Sequence, residues 1–258
     1  MKTLEVIMNR RTIRKFKNTP IPEEIVYKII EAGQRAPTAC SLQTYSIIWV
    51  KDDKIRKEVY EACGKQSFIL EAPITLVVCA DVRKILKIVD AIDECNNQKM
   101  ECGYEVKLFS IIDATLAAQN IVIAAESLGL SSVYVGTALA NKRLIELLKL
   151  PNGVLPLFLI CIGYPDENPP IRPRLPTKIM LSINQYREPD SNELIEAAKI
   201  MIEKLKEEGY YEKYSKRSDI TWIDNVKRKL TYTKKREEEI IKIIELTGYL
   251  PNQPINLK

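Results

Sequence analysis

Two short basic segments hold the side chains of this sequence best suited to binding an anion. The first, RRTIRKF at 10–16, has four cationic side chains in seven residues, and the second, IRPRLP at 171–176, has Arg172 and Arg174 on either side of a proline. Alternate residues of an extended chain point the same way, so both guanidinium groups of the second segment can reach one site. Arginine binds phosphate through paired, charge-assisted hydrogen bonds, so the segments predict a phosphate-bearing ligand. On charge alone, two solvated basic surfaces are the alternative.

A third segment, RAPTACSLQTY at 35–45, is a predicted loop of small residues between a helix and a strand. Small side chains let backbone amides approach a ligand, although a tight connection between elements has the same composition. The sequence contains neither GxGxxG nor GxxxxGK[ST], which excludes the dinucleotide fingerprint and the P-loop. A phosphate site in this chain is therefore expected to be built from arginines.

The absence of histidine from all 258 residues excludes Ser-His-Asp and Cys-His catalysis and histidine-ligated metals. None of the six cysteines forms a CxxC pair, so we expect no metal site. Cys79 and Cys161 lie in apolar runs and are predicted to be inert core thiols, whereas spacing alone leaves Cys95 and Cys102 open. Any catalysis must come from carboxylates, lysines, cysteines or a cofactor.

The composition is that of a globular protein, with 46% hydrophobic and 28% charged residues and a net charge of +5 spread along the chain. The N-terminal stretch MKTLEVIMNRR lacks the long apolar region of a signal peptide. The most apolar long stretch, 111–130, contains Asp113 and Glu126 and is too polar for a lipid-facing span. We therefore expect a cytoplasmic protein that does not enter a membrane.

Hydrophobic patterning predicts strands that alternate with helices, which is typical of a layered α/β sheet. The helix over 107–129 is apolar around most of its circumference and must be covered on several sides, by the domain core or by another subunit. Later helices are more charged, which favours one domain with a helical C-terminal extension. The predicted strands are 45–52, 74–81, 132–136 and 155–164, and the predicted helices are 22–38, 54–64, 107–129, 141–150, 191–209, 219–230 and 235–247.

The order and spacing of these motifs resemble the nitroreductase family of flavin enzymes, in its NADPH-dependent branch with a long C-terminal helical extension. The matching motifs are NRRTIRKF, RAPTACSLQ, GKQ at 64–66, AAESLGLSSVYVGTALAN at 124–141 and LPLFLICIGYPDENPPIRPRLP at 155–176. The resemblance implies an α/β (α+β) nitroreductase fold, with a central mixed sheet flanked by helices, in an intertwined homodimer. It also implies an FMN-binding core over 1–190 and a helical extension over 191–258 within the same domain.

The resemblance further implies one bound FMN per site at the dimer interface. Arg10, Arg172 and Arg174 would hold the phosphate. Arg14 would lie at the N1/O2 edge of the ring, where a fixed positive charge favours the reduced flavin. Gln66 would bond the N3/O4 edge. The other implied contacts are Arg11 and Thr12 in the first basic segment, Thr38, Ala39 and Ser41 in a loop that family members often take from the other subunit, and Val135, Gly136 and Thr137 at the ring face.

The implied reaction is hydride transfer from NADPH, preferred over NADH, to flavin N5 and then to a planar acceptor such as a nitroaromatic, a quinone or free flavin. It needs no catalytic protein residue. The basic residues implied for the NADPH 2′-phosphate are Lys213, Lys216, Arg217, Lys235 and Arg236.

The sequence leaves two alternatives open and disfavours a third. The first is a narrower reductase of disulfides or metal ions on the same fold, for which Cys40 in the flavin-side loop is the discriminating residue. The second is an FMN-binding protein without turnover. Nucleic-acid binding by the basic C-terminal region is disfavoured, since Glu237, Glu238 and Glu239 interrupt its positive charge and no aromatic platform is interleaved.

Overall fold

A computed structural model describes residues 3–92, 101–215, 219–231 and 234–257. The chain divides into two compact units. The first comprises Met1–Pro169 together with Glu238–Lys258, and the second comprises Pro170–Glu237. The functional division predicted at residue 190 stays a prediction.

The first unit is built on a four-stranded sheet in the order β1-β2-β4-β3. All three strand pairs are antiparallel, and the central pair aligns Ile74 with Ile162, with one irregularity after Val78. The central strands are mostly apolar because both faces of the sheet are covered, and every residue of β2 is buried. The strands are β1 (Tyr45–Trp49), β2 (Ile74–Asp81), β3 (Ser131–Val135) and β4 (Val154–Gly163).

Helices cover the sheet, and several begin at residues that satisfy the free amides of a first turn. The Asp52 carboxylate accepts from the backbone amides of Lys54 and Ile55, both at 2.9 Å, and the Asn141 side chain accepts from Leu144 N at 3.0 Å. The helices that lie wholly in this unit are α1 (Thr3–Asn9), α2 (Glu23–Gln34), α3 (Asp53–Ala62), α4 (Phe68–Glu71), α5 (Arg83–Ile92), α6 (Tyr104–Ser127) and α7 (Lys142–Leu147).

The central helix of the first unit is α6, whose small residues allow close packing against the sheet and α2. Its buried positions include Ala114, Ala117, Ala118 and Ala125. By length and composition α6 could cross a membrane, a test that core helices of soluble proteins also pass. A second stripe of large apolar side chains is exposed on the same helix: Leu108, Phe109, Ile112 and Leu116.

The second unit is helical and has a small core of Met201, Leu205 and Tyr211. Its two longer helices begin at capping boxes, in which Asp190 pairs with Glu193 and Thr221 pairs with Asp224. The helices are α8 (Thr177–Met180), α9 (Ser191–Glu207), α10 (Tyr210–Ser215), α11 (Trp222–Leu230) and the beginning of α12 (Lys234–Leu246).

The last residues of the chain pack within the first unit. The amine of Lys107, which is buried on α6, donates to Leu250 O at 3.1 Å and to Gln253 O at 2.6 Å. Burial lowers the pKa of this lysine. The Tyr249 hydroxyl is also buried, 3.2 Å from Ser110 Oγ. These contacts tie the C-terminal segment to the central helix.

The predicted fold class, α+β with a central sheet flanked by helices, is confirmed. Among the described residues all pairing between strands is antiparallel, and one isolated bridge, between Thr12 and Ser132, is parallel. The structure adds helices that the sequence analysis did not predict, including α1 and α5. Each of these two helices buries only one residue, Val6 in α1 and Leu86 in α5.

Candidate functional site

The first basic segment, 10–16, lies between β3 and the chain that follows β4. Ile13 N donates to Ser132 O at 3.1 Å, and Lys17 N donates to Tyr164 O at 2.9 Å. The side chains of Ile13 and Phe16 are buried, whereas Arg10, Arg11, Thr12 and Arg14 are half-buried. The apolar residues of the segment thus anchor it and leave its polar residues partly accessible.

Arg10 lies against an acidic residue at the end of α6. Its Nε is 3.6 Å from Glu126 Oε1, and its Nη2 donates to Ser132 Oγ at 3.4 Å. The Ser132 hydroxyl donates in turn to Glu126 Oε1 at 3.3 Å. Burial raises the pKa of Glu126 to about 7, although Arg10 and the Ser132 hydrogen bond both favour the ionised form. Glu126 is therefore a neutral neighbour of Arg10 well below pH 7 and becomes its counter-ion as the pH rises past 7.

The residues just after β4 hold the rest of the basic segment. Arg14 N donates to Glu167 Oε1 at 2.6 Å, and the Arg11 guanidinium donates to Asn168 Oδ1. Sequence reasoning missed the roles of Glu126, Glu167 and Asn168. The only available signal was that each lies inside one of the longer matching motifs, at 124–141 and 155–176.

The GKQ motif and the turn after β3 meet in the structure. Gln66 Nε2 donates to Thr137 Oγ1 at 3.3 Å and to Cys63 O at 3.0 Å, and Thr137 Oγ1 donates to the same carbonyl at 2.8 Å. Gly64 and Lys65 make this approach possible through positive φ angles of 82° and 53°. The structure therefore brings together two predicted contact regions that are far apart in sequence.

Two neighbouring positions of the turn after β3 have different surroundings. The Val135 side chain is buried in the core, so only its backbone is available to a ligand. A Cβ placed on Gly136 would meet no heavy atom within 4 Å, and the Gly136 φ lies outside the left-handed region. The protein itself therefore does not require glycine at this position, and the space around it is open.

The loop at 38–44 has an unusual backbone conformation that α6 supports. Cys40, Ser41 and Gln43 have positive φ angles of 49°, 58° and 54°. For residues other than glycine this conformation is strained, and such strain is concentrated at functional sites. Thr38 and Ala39 are half-buried, and Ser41 is exposed.

A buried carboxylate on α6 fixes the conformation of this loop. Asp113 accepts from Ala39 N at 3.0 Å, from Thr44 Oγ1 at 2.8 Å and from Thr44 N at 3.4 Å. Asp113 was noted in the sequence only as a polar residue in an apolar helix. Its structural role is to anchor the predicted ligand loop.

Among the described cysteines, Cys40, Cys63, Cys79, Cys102 and Cys161 are free. Cys79 and Cys161 are fully buried, as predicted, and burial raises the pKa of each thiol to about 12. Cys40 is exposed within the 38–44 loop. Cys95 lies outside the described residues.

The second basic segment belongs to the second unit. The Arg172 guanidinium pairs with the Glu208 carboxylate, and its Cζ is 4.0 Å from the centroid of the Tyr210 ring. Arg174 Nη1 donates to Pro173 O at 3.0 Å. Of the residues predicted to bind the NADPH phosphate, Lys213 is exposed and Arg236 is half-buried. Lys216, Arg217 and the Lys235 side chain lie outside the described residues.

The described residues fit an FMN phosphate. Arg10 Nε and Arg172 Nη2 are buried, and neither has a hydrogen-bond partner among the described residues. Buried guanidinium N–H groups are costly to leave unpaired, and phosphate oxygens are acceptors of matching charge. Each unit thus has one of the arginines implied for the phosphate with unused hydrogen-bonding capacity, Arg10 in the first unit and Arg172 in the second.

Comparison with known proteins identifies relatives that cover most of the chain. The sequence profile of the nitroreductase family matches residues 7–164. An oxygen-insensitive NADPH nitroreductase of Salmonella typhimurium is 32% identical over 248 residues, which cover 96% of this chain and 98% of the relative. An NADPH-flavin oxidoreductase of Vibrio harveyi is 38% identical over 189 residues, which cover 72% of this chain and 75% of the relative.

Solved structures extend the likeness to the fold. The NADPH:FMN oxidoreductase of Vibrio harveyi, solved in complex with NAD+, superposes with a TM-score of 0.78 at 31% identity, covering 95% of this chain and 97% of that one. The NfrA1 nitroreductase of Bacillus subtilis superposes with a TM-score of 0.81 at 28% identity, covering 94% and 98%. The resemblance inferred from the motifs is confirmed, and the chain belongs to the nitroreductase family.

Proposed function

We propose that this protein is an FMN-dependent NADPH oxidoreductase that reduces planar acceptors such as nitroaromatics, quinones or free flavin. The observation that carries the proposal is that two implied contact regions adjoin the same strand of the first unit. The basic segment lies beside β3, and Gln66 donates to Thr137 just after β3. The relatives support the chemistry, since those compared above are named as NADPH nitroreductases or NADPH-flavin oxidoreductases.

The residues of the chain would bind and orient the cofactor. Arg10, Arg172 and Arg174 would hold the phosphate, Gln66 would bond the polar N3/O4 edge of the ring, and Thr137 would approach the ring face. Bound FMN supplies reversible hydride acceptance, so the protein needs no general base of its own. Arg14 would place a fixed positive charge at the N1/O2 edge, which stabilises the reduced ring. Arg11, Thr12 and the backbone of Val135 and Gly136 would complete the contacts.

We further propose that the active form is a homodimer, in which Thr38, Ala39 and Ser41 reach the flavin site of the other subunit. The exposed apolar stripe of α6 supports this assembly, because Leu108, Phe109, Ile112 and Leu116 are each more than a third exposed. Exposed apolar patches of this kind mark protein interfaces. The helix that carries the stripe also carries Asp113, which holds the 38–44 loop.

NADPH is proposed as the preferred donor. The support is the cluster of basic residues around 213–217 and 235–236 together with the NADPH relatives. The contact is remote from the transferred hydride, so it acts equally on ground and transition states and lowers KM more than it changes kcat.

We also propose a cytoplasmic enzyme, consistent with the packing of α6 inside the first unit.

Reconstitution followed by turnover tests the function. Apoprotein is mixed with FMN, FAD or riboflavin, and oxidation of NADPH or NADH is then followed with a quinone or nitroaromatic acceptor. We expect FMN to bind most tightly, NADPH to show the lower KM and the initial rates to follow ping-pong kinetics. Tight FMN binding without oxidation of either nucleotide would instead establish the binding protein without turnover.

A further inference from the structure

Within the second unit, Arg172 makes more contacts with neighbouring side chains than an arginine needs in order to bind a phosphate. One guanidinium nitrogen, Nη1, donates to the carboxylate of Glu208. The guanidinium carbon is 4.0 Å from the centroid of the Tyr210 ring and 5.0 Å from that of the Tyr214 ring. The Arg172 and Glu208 side chains are only 17% and 11% exposed.

The position of Glu208 argues against a role in helix stability. It is the C-terminal cap residue of α9, where the partial negative charge of the helix end disfavours a carboxylate. The two basic residues in the last turn of the same helix, Lys204 and Lys206, follow the usual preference for positive charge there. Arg172 neutralises the carboxylate of Glu208. The ion pair therefore serves to hold the arginine in place, and not to stabilise the helix.

The pair leaves part of the guanidinium available. Arginine has five N–H donors in one rigid plane, so fixing one nitrogen also fixes the direction of the others. The second terminal nitrogen, Nη2, is buried and has no hydrogen-bond partner among the described residues. The two tyrosine rings add contact to the guanidinium and limit its rotation.

We infer that Glu208, assisted by the rings of Tyr210 and Tyr214, is a positioning residue that orients Arg172 so that Nη2 donates to the phosphate of the flavin. The inference rests on the proposed function, which supplies the phosphate. By this inference, residues at the end of α9 and the start of α10 help the protein to distinguish FMN from flavins without a phosphate. The inference also predicts that removing the negative charge of Glu208 weakens binding of the FMN phosphate.

This prediction separates positioning from simple electrostatics. If Glu208 only competed with the phosphate for Arg172, its removal would tighten FMN binding. If Glu208 orients Arg172, the Glu208→Ala variant binds FMN about tenfold more weakly, the loss typical of one charge-assisted hydrogen bond. Riboflavin lacks the phosphate, so its affinity is unchanged in the positioning case, whereas general damage to the site would weaken both ligands.

The experiment measures the dissociation constants of FMN and riboflavin by flavin fluorescence, on apoprotein of the full chain. Glu208→Gln retains an acceptor for Nη1 and should keep most of the preference for FMN. Glu203→Ala removes an exposed carboxylate from the same helix with the same change in net charge and should leave both constants unchanged. Should Glu208→Ala fail to fold, Tyr210→Leu provides the second test, with the same selective loss of FMN expected.

The outcomes are distinguishable. Selective loss of FMN affinity in Glu208→Ala, with recovery in Glu208→Gln, supports the positioning role. Unchanged or tighter FMN binding in Glu208→Ala overturns it while leaving the proposed function intact. A wild-type protein that does not prefer FMN to riboflavin overturns both, because no phosphate contact then exists.

Discussion

Arg10 and Arg172 each have a buried guanidinium nitrogen without a hydrogen-bond partner among the described residues. Each also lies against a carboxylate, Glu126 for Arg10 and Glu208 for Arg172. Each pair lowers the net positive charge available to a phosphate. It also holds the guanidinium in one orientation, since an ion pair removed from water is stable only with good geometry. If these arginines bind the phosphate as proposed, their ion pairs favour selective recognition of a phosphate more than strong attraction of any anion.

Gly136 provides a residue-scale test of the ring face. A Cβ there meets nothing in the protein, so we expect Gly136→Ala to fold with unchanged stability. If the flavin covers this position, the added methyl weakens FMN binding by about 1–3 kcal/mol, the usual cost of overpacking. Thermal unfolding of the apoprotein and an FMN titration measure the two effects.

Gly103 is a matched control for that variant, because a Cβ at this residue also meets nothing within 4 Å. It precedes α6, outside every motif implied to contact the flavin, so Gly103→Ala should leave FMN affinity unchanged. Equal FMN affinities for Gly136→Ala and the wild type would remove Gly136 from the ring face.

Glu126 gives a prediction about pH. Its pKa is raised from 4.5 to about 7 by burial, so between these pH values the folded protein keeps a proton that the unfolded chain has lost. The free energy of unfolding must then fall as the pH rises through this window. We expect Glu126→Gln to lack that fall, which makes the variant relatively more stable by up to about 3 kcal/mol above pH 7.

Urea denaturation of the apoprotein at a series of pH values measures this difference. Glu146→Gln is the control, since Glu146 is exposed and pairs only with exposed Lys142 at 3.7 Å. If the stabilities of wild type and Glu126→Gln change in parallel with pH, burial does not raise the pKa of Glu126 as described.

At the scale of elements, the contact between α2 and α6 is set by one glycine. A Cβ on Gly33 would lie 2.6 Å from Ile121 Cγ1 and 3.2 Å from Ala117 O, and Ile121 is fully buried. We therefore expect Gly33→Ala to destabilise the protein by about 1–3 kcal/mol in chemical denaturation. In a double-mutant cycle, Gly33→Ala combined with Ile121→Ala should cost less than the sum of the two single changes. Strict additivity would show that the two residues do not press on each other.

Elements with a strong pattern were predictable from the sequence. The buried strands β2 and β4 consist mostly of apolar residues. Helix α6 has small residues on its packed side and ends just before Gly129, whose φ is +80°. The partners of the arginines were not predictable, because Glu126 and Glu208 meet Arg10 and Arg172 only through tertiary packing. The 38–44 loop takes left-handed conformations at residues other than glycine. No sequence pattern typical of turns predicts this conformation.

At the scale of the whole molecule, the exposed stripe on α6 predicts a dimer. Light scattering at micromolar concentration should give twice 29.6 kDa, since obligate interfaces commonly bury more than about 2,000 Å². The double change Leu108→Glu and Ile112→Glu should yield folded monomers that bind FMN weakly, because the 38–44 loop of the other subunit is then lost.

The control for the dimer carries the same two charges elsewhere. Ile183 and Tyr186 of the second unit are 79% and 85% exposed, so changing both to Glu should leave the dimer and its flavin intact. A wild type that scatters as a monomer would assign the α6 stripe to some other role.

The most direct test of the proposed function is the absorbance spectrum of the purified protein before and after addition of NADPH without oxygen. We predict a yellow protein that releases FMN, and not FAD, on denaturation, with about one flavin per subunit as the family implies. One equivalent of NADPH should bleach the flavin band, and a quinone should restore it. A colourless protein that cannot be reconstituted with FMN, or a bound flavin that NADPH leaves oxidised, would contradict the account.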